Sequence, residues 1–331
     1  MQRAVSKFST SLTGLFGIEH PVLAGGLMHL ADATYVAAVV NAGCMGFITA
    51  KTFPDPKAFR DELQKARGLT AGKPFGVNFY LSARGNDAGL IAGHADIALA
   101  EGVRLFETSG LPPRELLPRL KEAGSKVMHK VATVRHALST QKLGVDAIAV
   151  VGAECGGHPG LELVGSIVQA ARAGQVIDKP LAVGGGFGHG SQLVAALAMG
   201  ADAVLMGTRL LVAEEIPASR AYKEQLVAAG ETDTRLLMAS LRNTYRAFDN
   251  ATARAVAELE MQGVTDFERY RALVAGAAQK HAYETGDWDS GILSLGQAVV
   301  FADAIRPVAE IVGQIMAEAD EALARLETFR G

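Results

Sequence analysis

The chain has 331 residues, 49% hydrophobic and 20% charged, with 32 basic against 35 acidic side chains for a formal charge of −3. This balance excludes a disordered segment, which buries too little apolar surface to fold, and a nucleic-acid binder, which needs a basic surplus. Two cysteines, Cys44 and Cys155, provide no disulfide framework and fit a reducing compartment.

The opening residues include Arg3 and Lys7 but no sustained apolar run, so no secretory signal is expected. The most apolar window, 36–50, is broken by Asn41, Gly43 and Gly46, and no membrane-crossing helix is expected. The expected location is the cytoplasm. In chain order, a strand at 21–24 runs into Gly25 and Gly26, and a helix at 34–42 ends on Gly43. Strand 45–50, helix 54–67, strand 75–81 and an alanine-rich helix at 87–100 follow. Strand 104–108, helix 115–123, strand 126–132, helix 134–143, strand 147–151 and helix 162–173 continue the beat. The next unit is strand 181–183 with Gly184, Gly185 and Gly186, then a helix at 192–199 capped by Ser191 and ended by Gly200. The last is strand 203–206 with Gly207 and Thr208.

Eight strands alternating with helices predict an α/β fold, a closed (β/α)8 TIM barrel, rather than an open doubly wound sheet, because no G-x-G-x-x-G turn follows the first strand. Residues 214–286 show no strand signal and read as consecutive helices. The expected organisation is therefore a barrel of 1–213 and 287–331, with a helical insertion at 214–286 over the active face. Helical periodicity resumes at 296–326, interrupted at Pro307.

Two adjacent strands that both end in helix-opening glycines aim backbone N–H groups and helix-dipole ends at one point. That arrangement suits a phosphate, and in such barrels it recurs after strands 7 and 8. Catalytic groups are expected at the strands' C-terminal ends, where 147–160 carries Glu154, Cys155, Gly156, Gly157 and His158. Paired glycines let His158 approach a ligand, and an imidazole exchanges protons near neutral pH. Glu154 either pairs with a lysine or orients the loop. Asn78 offers a donor and an acceptor to the imide edge of a flavin or purine, or else caps a turn. Lys130 needs a ligand or carboxylate partner if buried, and strand alternation lets only one of His129 and Lys130 face the barrel interior. Met28 and His29 follow the first strand and are placed to line the ligand face. Cys155 reads as a small inert side chain rather than a nucleophile. His20, His94, His136, His189 and His281 form no spaced ligand set, so no metal site is expected.

These motifs resemble the nitronate monooxygenase family, the 2-nitropropane dioxygenases, and its relatives the FMN-dependent enoyl-ACP reductases, over almost the whole chain. GIEHPVLAGGLMHLAD resembles the family's opening strand and its flavin-contacting turn (Ala24, Gly25 and Gly26), and GVNFYL its third-strand asparagine. GAECGGHPG resembles the E-A-G-G-H-x-G loop that bears the catalytic histidine. The glycine-rich stretch 181–211 is similar to the FMN-phosphate region, and GDWDSGILSLGQAV to the stretch whose Gly296–Gln297 pair returns to the flavin. The resemblance implies FMN as cofactor and His158 as acid–base. The cofactor would be bound by Ala24, Gly25, Gly26, Asn78, Lys130, Gly157, Gly184, Gly185, Gly186, Gly207, Thr208 and Gln297.

Cys155 departs from the family's alanine, and His29 stands where the enoyl reductases carry tryptophan, so the differences bear on the substrate. The activity implied is oxidation of alkyl nitronates or nitroalkanes with oxygen. One alternative is NAD(P)H-dependent reduction of an enoyl thioester or quinone, which 242–260 resembles. A second, from another class, is a non-catalytic phosphate-ligand binding protein. The expected partner is a small-molecule substrate, with no nucleic acid and no membrane, and the oligomeric state stays open.

Overall fold

Eight short parallel strands close into a barrel in sequential order: β1 (Val22–Ala24), β2 (Met45–Thr49), β3 (Gly76–Leu81), β4 (Leu105–Gly110), β5 (Lys126–Val131), β6 (Ala147–Val151), β7 (Leu181–Gly184) and β8 (Ala203–Met206). The barrel shuts where Val22 of β1 pairs with Val204 of β8. This computed structural model describes residues 8–82 and 88–329. Arg3, Lys7 and Asp87, the expected first residue of the alanine-rich helix, lie outside the described residues.

Helix α1 (Ser11–Phe16) precedes β1. The connecting helices are α2 (Ala33–Asn41), α3 (Pro56–Leu69), α4 (Ala88–Ala100), α5 (Leu116–Glu122), α6 (Val134–Gln141), α7 (Ser166–Val176) and α8 (Gly190–Ala198). Several starts are fixed by side chains that accept a free N–H of the first turn: Asp32 for α2, Asp55 for α3 and Thr133 for α6. The expected strand–helix beat is thus present, with ends moved by a few residues.

Strand alternation splits the apolar residues between two layers. Val77, Phe106, Val127, Ile148, Val183 and Val204 face the surrounding helices. Leu23, Met45, Phe47, Leu105, Met128, Ala149, Ala182 and Leu205 fill the barrel. Leu12 and Phe16 of α1 join that inner layer, with the Phe16 ring edge-on to Phe47 at 6.1 Å, and so close the end opposite the strands' C-termini.

Two expectations need correction. The cap of α8 is His189, not Ser191: its ring accepts the Ser191 N–H at 3.1 Å, and Gln192 Oε1 accepts the His189 N–H at 3.1 Å. The helix begins earlier because Gly190 is pressed against the C-terminal helix, where a Cβ would lie 2.1 Å from Ile315 O.

The segment between β8 and that helix is not wholly helical. It holds α9 (Arg220–Ala228), the antiparallel hairpin β9 (Thr234–Leu237) and β10 (Tyr245–Phe248), then α10 (Ala251–Met261), α11 (Glu268–Arg271) and α12 (Gly276–Thr285). The hairpin forms because its polar members are paired: Arg235 bonds Asp249 through Nε (3.0 Å) and Nη2 (2.9 Å), while Leu237 and Ala247 enter a small apolar cluster with Val256, Tyr270 and Ile292. A 3-10 turn (Gln297–Phe301) leads to α13 (Val308–Glu327), which starts after Pro307 and packs on α8 and α2, completing the outer ring. Among the described residues no helix is long and apolar enough to cross a membrane.

Candidate active site

The C-terminal ends of the strands open into a cavity of about 1430 Å³. Gly25, Gly26, Asn78, Lys130, Gly157, His158, Gly185, Gly186, Gly207 and Thr208 all stand on its wall, as do Met28 and His29. Ala24, Gly184 and Gln297 stand behind it. Ala24 is 1% exposed and packs into the outer apolar layer, on the opposite side of β1 from the cavity. Gly184 ends β7 with Leu205 O 3.0 Å from where its Cβ would be. Gln297 gives its N–H to Glu154 O (3.0 Å), leaving Gly296 and Ala298 as the neighbours that reach the wall.

The two glycine turns differ physically. Gly185 and Gly186 adopt φ of +92° and +75°, which strains any other residue. A Cβ on Gly185 would meet Gly152 N, Gly152 O and Ser166 Oγ, each at 2.8 Å, so close packing of the 152–154 loop alone demands glycine there. Gly207 is different: its φ is −126°, and the nearest atom to an added Cβ is Leu27 Cδ2 at 3.6 Å. The N–H groups of Gly186, Phe187, Gly207 and Thr208 donate to no described protein group, so four backbone donors at the mouth remain for an anion.

The cavity floor is polar. Side chains that face the interior at this level are Asn78 (β3), Glu107 (β4) and Lys130 (β5), where the lower layers carry Leu105 and Met128. Asn78 Nδ2 donates to Glu107 Oε2 at 2.6 Å, and the Gly26 N–H donates to the same oxygen at 3.0 Å. Lys130 Nζ lies 3.1 Å from Glu107 Oε1, an ion pair without hydrogen-bond alignment, since Oε1 has no hydrogen-bond partner. Gly26 must be glycine because its Cβ would sit 2.4 Å from Asn78 Cγ. Lys130 therefore has the carboxylate partner that its burial demanded. His129 points the other way, bonds Thr108 Oγ1 at 2.8 Å, and is pushed down to about 4 by burial and then by the Lys130 charge.

The loop after β6 carries His158. Glu154 bonds the Ser166 N–H (3.0 Å) and hydroxyl (2.7 Å), capping α7, so its role is to orient the loop. Gly157, at φ +80°, exchanges two backbone hydrogen bonds with Arg246 of β10, at 3.0 and 2.6 Å. Arg246 Nε adds a third clasp to Ala153 O at 3.0 Å. The His158 ring is accessible from the cavity and makes no hydrogen bond among the described residues. It stands edge-on to Tyr245 at 4.8 Å and stacked over Tyr80 at 6.4 Å. The enclosing walls lower its pKa below the ordinary 6.5, so it is a neutral base at physiological pH. Tyr245 is held by a hydroxyl–hydroxyl bond to Ser294, and burial raises its phenol pKa. Burial pushes the Cys155 thiol up to about 11, which makes it a poor nucleophile. Among the described residues, no three metal-ligating side chains gather.

Glu107, Tyr80, Tyr245, Arg246 and Ser294 escaped the sequence reading. Alternation along LFETSG was a usable signal for Glu107, since Leu105 and Glu107 share a face. Nothing local announced that β10 would reach the 152–160 loop.

Fold and cavity define a (β/α)8 barrel whose candidate groups stand at the strands' C-terminal mouth. A family model for nitronate monooxygenase matches residues 9–318, and the chain belongs to that family. A curated Mycobacterium tuberculosis protein named (3aS,4S,5R,7aS)-5-hydroxy-7a-methyl-1-oxo-octahydro-1H-indene-4-carboxyl-CoA dehydrogenase is 38% identical over 232 residues, 68% of this chain and 61% of that one. The chain thus spans less than two thirds of that relative's length. Among solved structures, FabK from Thermotoga maritima superposes with a TM-score of 0.88 at 30% identity, covering 97% of this chain and 99% of that one. Nitroalkane oxidase from Streptomyces ansochromogenes gives 0.82 at 26%, covering 95% and 99%.

Proposed function

We propose that the chain is an FMN-dependent nitronate monooxygenase that oxidises alkyl nitronates and nitroalkanes with oxygen. One observation carries this reading: a neutral, unpaired imidazole, His158, on a cavity whose floor and mouth match the two ends of a flavin nucleotide. The four unengaged N–H groups at Gly186, Phe187, Gly207 and Thr208 would hold the phosphate, and Asn78 with Lys130 would hold the polar edge of the ring. FMN supplies the electron-accepting chemistry when bound.

The chain's own residues prepare the substrate. Neutral His158 takes the proton from the α-carbon of a nitroalkane at its free ring nitrogen, and the low pKa keeps that nitrogen unprotonated. Tyr80 and Tyr245 flank the imidazole and fix the side from which a substrate reaches it. The insertion at 214–286 works as one wall of the pocket through β10, and the enzyme acts in the cytoplasm on a small molecule without nucleic acid or membrane.

A second reading, NAD(P)H-dependent reduction of an enoyl thioester or quinone, is favoured by the charge of the cavity. In a chain with more acidic than basic residues, the described wall holds Lys51, Arg114 and Arg242 besides the Glu107-paired Lys130, and no Asp or Glu. Such a wall suits a phosphate-bearing substrate or nicotinamide nucleotide. Anaerobic mixing of the oxidised enzyme with NADH, NADPH or ethyl nitronate, followed at the flavin band, separates the readings. Bleaching by nitronate is expected; rapid bleaching by a nicotinamide alone installs the reductase.

A further inference from the structure

We propose that Glu107 is a positioning residue that sets the charge and hydrogen-bond polarity of the cavity floor. It offsets the Lys130 cation and turns the Asn78 amide so that its carbonyl faces the ligand. The inference rests on the flavin reading above.

Glu107 touches no ligand space: its side chain is 0% exposed and lies beneath the wall, whereas Lys130 is 23% exposed. It is bound from three strands' ends at once, by Gly26 N–H after β1, Asn78 Nδ2 of β3 and the Lys130 ammonium of β5. A carboxylate only accepts hydrogen bonds, so Asn78 must turn its NH2 toward Glu107. Its Oδ1, which accepts from no described protein group, is left for the cavity. A glutamine in place of Glu107 would satisfy only one arrangement of these donors and would leave Asn78 free to flip.

The charge matters as much as the geometry. Oε1 has no aligned donor of its own, so its field falls on the ammonium 3.1 Å away. A barrel interior whose lower layers are apolar, with Leu23, Met45, Phe47, Leu105 and Met128, gains no stability from a buried acid that a neutral residue of similar volume would not supply. What the acid supplies is a floor that presents one donor and one acceptor with little net charge. Without it, Lys130 becomes a lone cation under the ring, and any state of the ligand with extra negative charge is favoured.

Sulfite reads this directly, because its reversible addition to a bound flavin places negative charge on the ring and bleaches the visible band without turnover. In FMN-loaded Glu107→Gln the sulfite Kd is expected to fall about 10-fold or more, with a more positive flavin midpoint potential. Glu107→Asp, which keeps the charge, should stay within about 3-fold of wild type. A Glu107→Gln protein that holds FMN with an unchanged sulfite Kd overturns the inference, since a purely structural residue would alter FMN content or melting temperature and not this constant. Should the lone cation prevent folding, the comparison moves to Lys130→Met against Lys130→Met/Glu107→Gln. The double variant is expected to bind sulfite at least about 3-fold tighter, and equal constants overturn the inference. A folded wild type that takes up no FMN fails earlier and removes the flavin reading itself.

Discussion

Gly207→Asp tests whether the second glycine turn serves a ligand rather than the fold. At Gly185 the two roles are confounded: φ is +92° and an added Cβ would strike Gly152 backbone at 2.8 Å, so any substitution there damages the barrel mouth. At Gly207 the backbone is not left-handed and only Leu27 Cδ2, at 3.6 Å, stands near an added Cβ. A side chain at Gly207 is therefore expected to leave the fold and its Tm nearly unchanged. The effect on an anion is larger. A carboxylate about 5 Å from a bound phosphate, at an effective dielectric of about 20, repels it by about 3 kcal/mol per unit charge. The FMN Kd should therefore rise by about 100-fold or more. Fluorescence quenching of FMN by apoprotein measures the constant, and thermal melting of the apoprotein controls for the fold. An FMN Kd within about 3-fold of wild type, at nearly unchanged Tm, would refute the placement of the phosphate at this turn.

Four further outcomes are expected. His158→Asn should keep FMN and fold but slow turnover of neutral nitroalkanes by about 10²-fold, sparing preformed nitronates, and equal loss on both would remove the base assignment. Because burial lowers the His158 pKa, its basic form persists on acidification, and the acid limb of kcat/KM for a neutral nitroalkane should fall below pH 6.5; a limb above that value contradicts the environment described. Cys155 at about 11 is protonated at neutral pH, so it should react with iodoacetamide far more slowly than a free thiol, and Cys155→Ala should retain activity within about 3-fold. His129, at about 4 folded against 6.5 unfolded, binds its proton first in the unfolded chain, so stability is full above pH 6.5 and is lost as pH falls toward 4, by up to about 3 kcal/mol. His129→Gln should flatten the Tm profile across that window; an unchanged slope would show the loss arises elsewhere.

The barrel was legible because β1, β6, β7 and β8 are uninterrupted apolar runs that meet glycine, the pattern that burial on both faces imposes, and the even strand–helix beat carried β3, β4 and β5, which hold polar residues. The hairpin was not, because TRLL and YRAF are short and carry arginines whose partners, Asp249 and Ala153 O, are invisible to periodicity. The histidine loop announced itself through glycines flanking His158, and its neighbours on the cavity wall followed from strand ends. Glu107 stayed hidden behind a different limit. A lone acid in a strand is read as an edge or an error until its two donors, Gly26 N–H and Asn78 Nδ2, and its counter-ion Lys130 are seen to converge on it.

The paired bonds between Gly157 and Arg246 tie the histidine loop to a strand almost ninety positions later in the chain. The loop and the hairpin are consequently one exchangeable cassette in two pieces. A relative's hairpin grafted alone would arrive with a different outer wall and would also re-aim the imidazole, so the pocket wall and the placement of His158 are inherited together. Engineering a new selectivity into this barrel is thus a matter of moving both pieces at once.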